Sequence, residues 1–299
     1  MSARRGTYSI VARDDATGEL GVAAQSHWFS VGSIVSWASP GVGAVATQSL
    51  VDPAYGPRML DRLAAGQSPD AALRELLGAD DGAGVRQVAA VDNDGAVAIH
   101  TGEGCIAHAG HAGGDGFSVQ ANMMASPGVP QAMTEAFAGA EGELSVRLLA
   151  SLEAGQAAGG DARGQMSAAL LVVPAEGEPW RRSVEIRVDY EEEPLPKLSR
   201  ALRLQRAFEL LDRAEERAGE EDYEGAMAAG MQGLELAGEN PQLLLWLGLG
   251  AANTDIDIGL NLVRRALELQ PSLGDFLGHL TDEIAPSASL VRSRLSEAP

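Results

Sequence analysis

Apolar and polar residues alternate in short segments near the start of the chain, and turn residues separate the segments. Residues 7–13 and 20–25 are two such segments, and the Asp- and Gly-containing stretch 14–19 between them predicts a β-hairpin. Residues 33–38 and 44–48 repeat the arrangement around a Pro-Gly turn and predict a second hairpin. The pattern therefore predicts four strands within the first fifty residues.

From residue 55 onward, the apolar residues take helical spacing. Leu60 and Leu63 are three residues apart, and Ser68-Pro69 has the composition of an N-cap and first helical position. The same reasoning, continued along the chain, predicts strands at 86–91, 96–101, 104–109 and 117–122, helices at 129–139 and 143–157, and strands at 167–173 and 183–189. Helices that occur in pairs between antiparallel strands pack most simply on the outer faces of two stacked sheets, so we predict an α+β domain.

A change in composition predicts a second domain. We place the first domain at 1–190, a Pro- and Glu-rich linker at 191–196, and an all-α domain at 197–299. The helical part resembles tetratricopeptide repeats, although its Asn-Pro and Gln-Pro steps at 240–241 and 270–271 are closer together than the usual ~34-residue period. Two interpretations stay open: the helices pack on the first domain and help it dimerise, or they form a groove for a partner peptide.

Charge narrows the classes of partner. The chain has 299 residues with 42 acidic and 22 basic side chains, for a net charge of -20, so it should repel nucleic acid and anionic membranes. No apolar run reaches the ~20 residues of a membrane span, and no signal-peptide pattern is present. A single cysteine, Cys105, fits a reducing compartment, so we expect a cytoplasmic protein.

The first candidate for chemistry is Thr7, which follows Gly6 at the start of the first predicted strand. A threonine hydroxyl is a poor nucleophile, but an adjacent free α-amine, with a reference pKa of ~7.7–8.0, can take its proton. Cleavage between Gly6 and Thr7 is needed to expose that amine. The alternative is a β-branched residue that simply starts a strand.

Polar residues near the ends of other predicted strands are further candidates. Side chains held on a rigid sheet can orient an amide substrate or donate to a developing oxyanion; otherwise they serve turns or a buried hydrogen-bond network. The candidates are Ser26, His27, Thr47, Gln48, Gln120, Asn122, Asp161 and Arg163. For Asp161 and Arg163, two interpretations stay open: they form an ion pair or a helix cap, or they bind a substrate carboxylate.

A metal centre is an alternative for one further group. His108, His111 and Asp115 are close together in sequence, but the segment is more typical of a strand and turn. We therefore expect no metal site and no cofactor.

Several segments together resemble the bacterial domain-of-unknown-function family 1028. They are TYSIVARD, TGELGVAAQSHWFSVGS, GVGAVATQS, Arg86-Gln87, Thr101-Gly102, QANM and GGDARGQMSAAL, and the similarity covers about residues 6–175. The resemblance implies a four-layer αββα sandwich of the N-terminal-nucleophile hydrolase type, whose enzymes are mostly amidohydrolases. It also implies that Thr7 is the nucleophile, that Ser26 and His27 support it, and that Asn122 or the Gly43 region supplies oxyanion donors.

These expectations combine into one functional hypothesis and one alternative. The hypothesis is an amidohydrolase that cleaves a small amide, lactam or peptide-like bond with Thr7, and for which Thr47, Gln48, Gln120, Asp161 and Arg163 contact the substrate. The alternative is a catalytically inactive αββα scaffold whose helical tail makes protein contacts. In either case we expect a homo-oligomer, or a protein partner bound through the C-terminal helices.

Overall fold

The first hairpin lies at the centre of the larger sheet. In the computed structural model, which describes residues 6–297, β1 (Thr7–Arg13) and β2 (Leu20–Ser26) pair antiparallel, with Thr7 opposite Ser26. Asp14 shapes the turn by accepting hydrogen bonds from the backbone N–H groups of Ala16 and Thr17, both at 2.9 Å. The predicted hairpin is confirmed.

Two antiparallel sheets form the body of the first part of the chain. One has six strands in the order β10-β9-β2-β1-β8-β7, and the other has four in the order β3-β4-β5-β6. The remaining strands are β3 (Ser36–Ser39), β4 (Gly43–Ser49), β5 (Arg86–Asp92), β6 (Val97–Thr101), β7 (Gly110–Gly114), β8 (Phe117–Asn122), β9 (Ser167–Val173) and β10 (Val184–Val188).

The sheets stack face to face, and a pair of helices covers each outer face. Small and β-branched residues of both sheets, such as Val11 and Val22 on one and Ala46 and Val91 on the other, share one buried cluster. The helices α3 and α4 contact the six-stranded sheet, whereas α1 and α2 contact the four-stranded one. Their bounds are α1 (Tyr55–Ala64), α2 (Pro69–Gly78), α3 (Val129–Gly139) and α4 (Leu144–Ala157). The α+β class is thus confirmed.

The second predicted hairpin begins later than expected. Residues Val31–Ser33 form a 3₁₀ turn, and the strand starts only at Ser36. The Ser33 hydroxyl donates to the Ser30 carbonyl oxygen at 2.8 Å, and Ser30 has a left-handed φ of 54°. Such a local side-chain bond to the backbone competes with strand pairing, which explains the shift.

The predicted strand at 104–109 is wrong. Its backbone turns instead: Gly104 N–H donates to Gly84 O at 2.7 Å, and Cys105 N–H donates to Gly102 O at 3.0 Å. The edge strand of the six-stranded sheet is the glycine-rich β7, which pairs with β8.

Helix α1 packs so closely on the four-stranded sheet that a side chain at Gly56 should lower the stability of the fold. A Cβ at Gly56 would overlap the indole ring of Trp37. We expect Gly56→Ala to lower the free energy of unfolding by about 1–3 kcal/mol, because the ring must move. The matched control is Gly78→Ala, where a Cβ meets nothing within 4 Å and which should stabilise by about 0.5–1 kcal/mol. Urea unfolding of the two variants tests this contrast, and equal effects would contradict it.

The chain divides into two compact units, Met1–Ser199 and Arg200–Pro299. The long helix α5 (Pro194–Gly219) starts inside the segment 191–196 that the composition indicates as a linker. The later helices are α6 (Tyr223–Ala237), α7 (Pro241–Ala251), α8 (Ile256–Leu269), α9 (Leu273–His279) and α10 (Ala288–Glu297). None of the described helices is long and apolar enough to cross a bilayer.

Side-chain caps fix where three of the later helices begin. Asp222 accepts from Gly225 N–H, Asn240 from Gln242 N–H, and Asp255 from Asp257 N–H, each at 3.0 Å. These caps satisfy N–H groups that the first helical turn leaves without a partner.

Candidate functional site

Thr7 lies where β1 begins, between two neighbouring strands. It pairs with Ser26 of β2 on one side and with Asn122 of β8 on the other. The residue is 1% exposed and borders a narrow crevice that has no room for a water molecule and that Trp28 and Gln48 also line. The pairing of these three strands thus brings three of the predicted site residues together at one end of the six-stranded sheet.

Three polar groups converge on the carbonyl oxygen of Gly6. The Thr7 hydroxyl donates to it at 2.7 Å, the Ser26 hydroxyl donates to it, and the Arg163 Nη2–H donates to it at 3.1 Å. The oxygen atoms of the two hydroxyls are 3.2 Å apart. The arrangement places a hydroxyl beside an amide carbonyl whose oxygen is polarised by a cation and a second hydroxyl.

Asp161 holds Arg163 in this position. Its carboxylate is fully buried and accepts two bonds from the guanidinium, at 3.0 Å from Nε and 2.7 Å from Nη2. The backbone N–H groups of His27 and Arg163 donate to the same carboxylate at 3.1 and 2.9 Å. Because a two-point ion pair fixes the plane of the guanidinium, Arg163 is directed at the Gly6 carbonyl.

Tyr8 shows the electrostatic influence of that carboxylate. Burial, and secondarily the negative charge of Asp161, raises the pKa of the Tyr8 phenol well above its usual value. The phenol therefore stays protonated, and it donates to Gln156 Oε1 at 3.1 Å. Tyr8 is thus a neutral hydrogen-bond donor rather than a base.

The carbonyl oxygen of Thr7 is held from the opposite side, between the two sheets. Gln48 Nε2 donates to it at 3.2 Å and Asn122 Nδ2 at 3.3 Å. Both amides also donate to Gln87 Oε1, at 2.8 and 3.0 Å. We call the buried group an inter-sheet polar network, and its members are Ser9, Gln48, Gln87, Gln120 and Asn122.

Not all predicted site residues face Thr7. Adjacent residues of a strand point to opposite faces, and Gln48 points between the two sheets. Thr47 therefore points away from Thr7, and its hydroxyl donates to Asp52 O at 3.1 Å. The His27 ring lies 3.1 Å from Gln165 O through Nδ1. Gly43 begins β4, whereas Gln48 is near its other end, so the Gly43 region is distant from Thr7 along that strand.

Gln87 is a site residue that is not among the candidates predicted at the ends of the strands. Its Nε2 lies within hydrogen-bond distance of Thr101 Oγ1 at 2.9 Å, Ala121 O at 3.0 Å and Gly110 O at 3.1 Å. Pairing the predicted strands in the right register would have identified Gln87, because it lies directly opposite Gln48 in the four-stranded sheet. Ser9 is similarly overlooked, and it donates to Gln48 Oε1 at 2.6 Å.

Two residues beside this site have unusual backbone geometry. Ser49 and Met123, which directly follow Gln48 and Asn122, have left-handed φ angles of 70° and 59°. Non-glycine residues in this region carry a small conformational cost and cluster at constrained sites. The strand ends that carry the two amide side chains are thus tightly constrained.

The alternative metal ligands do not come together. Within residues 6–297, no group of three or more His, Cys, Asp and Glu side chains is arranged to hold a metal ion. His111 instead has its Nδ1 at 2.9 Å from Thr101 Oγ1.

Comparison with known proteins relates this site to one family. Residues 7–198 match the model of a family of unknown function, DUF1028. A crystal structure of a Silicibacter pomeroyi protein, described with the same family model, is 32% identical, with a TM-score of 0.61 over 66% of this chain and 88% of that chain. No curated protein matches.

A second solved structure is much less similar. The Anbu (ancestral β-subunit) protein from Yersinia bercovieri is 11% identical, with a TM-score of 0.33 over 64% of this chain and 90% of that chain. The family model, by contrast, covers the whole two-sheet part of the chain, including Thr7 and Arg163. On that match, the chain belongs to the DUF1028 family.

Proposed function

We propose that the protein is an amidohydrolase whose nucleophile is Thr7, and that the protein exposes this residue by cutting its own Gly6–Thr7 bond. The observation that carries the proposal is the position of the Thr7 hydroxyl, 2.7 Å from the oxygen of the preceding carbonyl. Arg163 and Ser26 donate to that same oxygen. These contacts supply two of the groups that attack on an amide uses, an adjacent nucleophile and donors for the developing oxyanion.

The cut proceeds in two balanced steps. Thr7 Oγ1 bonds to the Gly6 carbonyl carbon while the carbon–nitrogen bond to Thr7 breaks, and the hydroxyl proton ends on the released nitrogen. The product is an ester between Gly6 and the Thr7 side chain. Water then adds to the ester carbon, which frees the Gly6 carboxylic acid and restores the Thr7 hydroxyl. One water is consumed, and Thr7 gains a free α-amine.

The freed Thr7 then acts on a second amide. Its α-amine takes the hydroxyl proton, the hydroxyl attacks the substrate carbonyl, and water hydrolyses the acyl-enzyme. Ser26 and Arg163, which no longer bind Gly6, donate to the substrate oxygen, and Asp161 holds Arg163 in place. We take the substrate to be a small amide, lactam or peptide-like compound, whose carbonyl occupies the position that the Gly6 carbonyl leaves.

The amide side chains have a positioning role in this proposal. Asn122 Nδ2 already donates to both Thr7 O and Gln87 Oε1, so we assign Asn122 and Gln48 to holding the Thr7 backbone. Gln120 supports them through Ser9, since its Nε2 donates to the Ser9 hydroxyl at 2.6 Å. The His27 backbone N–H binds Asp161 and thereby supports Arg163.

Intact-mass spectrometry of the purified full chain tests the cut. We expect the wild-type chain to begin at Thr7 and the Thr7→Ala chain to retain Gly6, because alanine has no hydroxyl. The control is Thr17→Ala, in an exposed turn, which should be cut like the wild type. A wild-type chain that retains Gly6 would contradict the proposal. A Thr7→Ala chain that also begins at residue 7 would assign the cut to another protease.

One observation favours the inactive scaffold as a second candidate. Thr7 is 1% exposed behind Gly6, so no substrate reaches its hydroxyl while Gly6 is attached. If the mature chain retains Gly6, the site is a structural hydrogen-bond cluster, and the protein acts through binding. The mass measurement thus separates the two candidates.

A further inference from the structure

The helical unit contains a large apolar groove of its own. Its volume is about 700 Å³, within the range of ligand-binding sites. Four elements supply its walls: α5, α6, α7 and the segment that precedes α10. Aromatic and aliphatic side chains form much of the surface, among them Phe208, Leu211, Tyr223, Met227, Trp246 and Ile284.

The rim of the groove exposes apolar surface to solvent. Tyr223 is 49% exposed and Ile284 is 64% exposed, although both line the groove. Large exposed apolar side chains beside a concavity are typical of a surface that binds a partner. An open rim fits a peptide segment that lies along the groove, whereas most small ligands are enclosed on nearly all sides.

Two carboxylates give the groove a negative charge. Asp212 and Glu215, one helical turn apart on α5, line the groove, and among the described residues that line it none is Lys or Arg. Partial burial, together with the nearby Asp212 charge, raises the pKa of the Glu215 carboxyl. No ion pair to either carboxylate forms within residues 6–297. A cation brought by a partner would relieve this repulsion.

We propose that this groove binds an amphipathic helix of a partner protein, one whose apolar face is bordered by arginine or lysine. The apolar side chains of that helix fill the space between Trp246 and Ile284, and its basic residue pairs with Asp212 and Glu215. Apolar anchors supply most of the affinity in such complexes, and rim charges select the partner.

The test uses the full chain and synthetic 14-residue helical peptides. One peptide has a leucine face bordered by two arginines, and a matched peptide has glutamates in place of those arginines. Isothermal titration calorimetry should show micromolar binding of the arginine peptide and at least ten-fold weaker binding of the glutamate peptide. Absence of binding by the arginine peptide, or equal binding of both peptides, overturns the proposal.

Variants locate the binding and separate it from general charge attraction. The double variant Asp212→Asn/Glu215→Gln should bind the arginine peptide about five-fold more weakly, since each rim pair contributes modestly. The control double variant Glu235→Gln/Glu297→Gln removes the same charge at exposed positions outside the groove and should bind like the wild type. Equal weakening by both double variants overturns the proposal.

A variant of the apolar rim tests the rest of the groove. Ile284→Gln is expected to weaken arginine-peptide binding about ten-fold without unfolding the chain, because this side chain is mostly exposed. Sedimentation velocity of the wild type and of this variant identifies the occupant. If the wild type is a dimer and Ile284→Gln makes it a monomer, a second copy fills the groove, and the proposal is overturned.

Discussion

Arg163→Met is expected to slow the release of Thr7 by about 10²–10³-fold, the effect of losing one donor to a developing oxyanion. Arg163 is the only cation that donates to the Gly6 carbonyl oxygen among the hydrogen bonds of residues 6–297, at 3.1 Å. A positive charge at this distance stabilises the negative oxygen of the tetrahedral intermediate more than the neutral carbonyl. Methionine keeps much of the side-chain length but has no N–H group. A time course of intact masses after rapid purification measures the rate.

Two further variants control this prediction. Arg182→Met removes an exposed arginine that bonds to Pro179 O and should leave the rate unchanged. Because Arg163→Met also leaves the buried Asp161 carboxylate without its cation, Ser26→Ala is a second test with no charge change. It removes the hydroxyl donor to Gly6 O that is not the nucleophile itself, and it should slow the cut by about 10²-fold. Cutting at the wild-type rate in both folded variants would mean that these donors do not stabilise the oxyanion.

Alternation and turn composition predicted most strands but not the glycine-rich edge of the larger sheet. β7 contains three glycines in five residues, and its side-chain pattern has no apolar alternation. β7 is a strand because its backbone pairs with β8. Strand propensities describe single residues and do not include this pairing. The neighbouring segment 104–109 contains more apolar residues, yet its backbone turns where Gly104 N–H donates to Gly84 O. Tertiary contacts, rather than the local sequence, therefore determine the backbone conformation of β7 and of the segment 104–109.

The site residues were predictable by type and only partly by position. The first hairpin and β8 place Ser26 and Asn122 beside Thr7, so a correct pairing of strands is enough to find them. Thr47 and Gln48 are adjacent in sequence but lie on opposite faces of β4. Gln87 is linked to Thr7 only through Gln48 and Asn122, which donate to both, and the Asn122 bond crosses from one sheet to the other. The order of apolar and polar residues predicts that two sheets stack, but it does not predict which side chains meet between them.

The second large effect concerns this stacking: we expect Gln87→Leu to lower the free energy of unfolding by about 3–5 kcal/mol. Gln87 is fully buried and lies at the centre of the inter-sheet polar network. Leucine, of similar size, would leave two amide donors, two backbone carbonyls and the Thr101 hydroxyl each short of one partner. A buried polar group that loses its partner costs about 1–3 kcal/mol, and part of that cost is recovered because Gln48 and Asn122 still reach Thr7 O.

Urea unfolding, with amide hydrogen exchange of β1 and β5 as the readout, assigns the loss to the two-sheet unit. The matched control is Gln131→Leu, an exposed glutamine of α3 that donates to Glu135 at 2.8 Å and should change stability by less than about 0.5 kcal/mol. Because the network also holds the Thr7 carbonyl, Gln87→Leu should slow the Gly6–Thr7 cut even in the fraction that stays folded. Unchanged stability in Gln87→Leu would mean that the network adapts to the loss, and the sheets would then be held together by their apolar cluster alone.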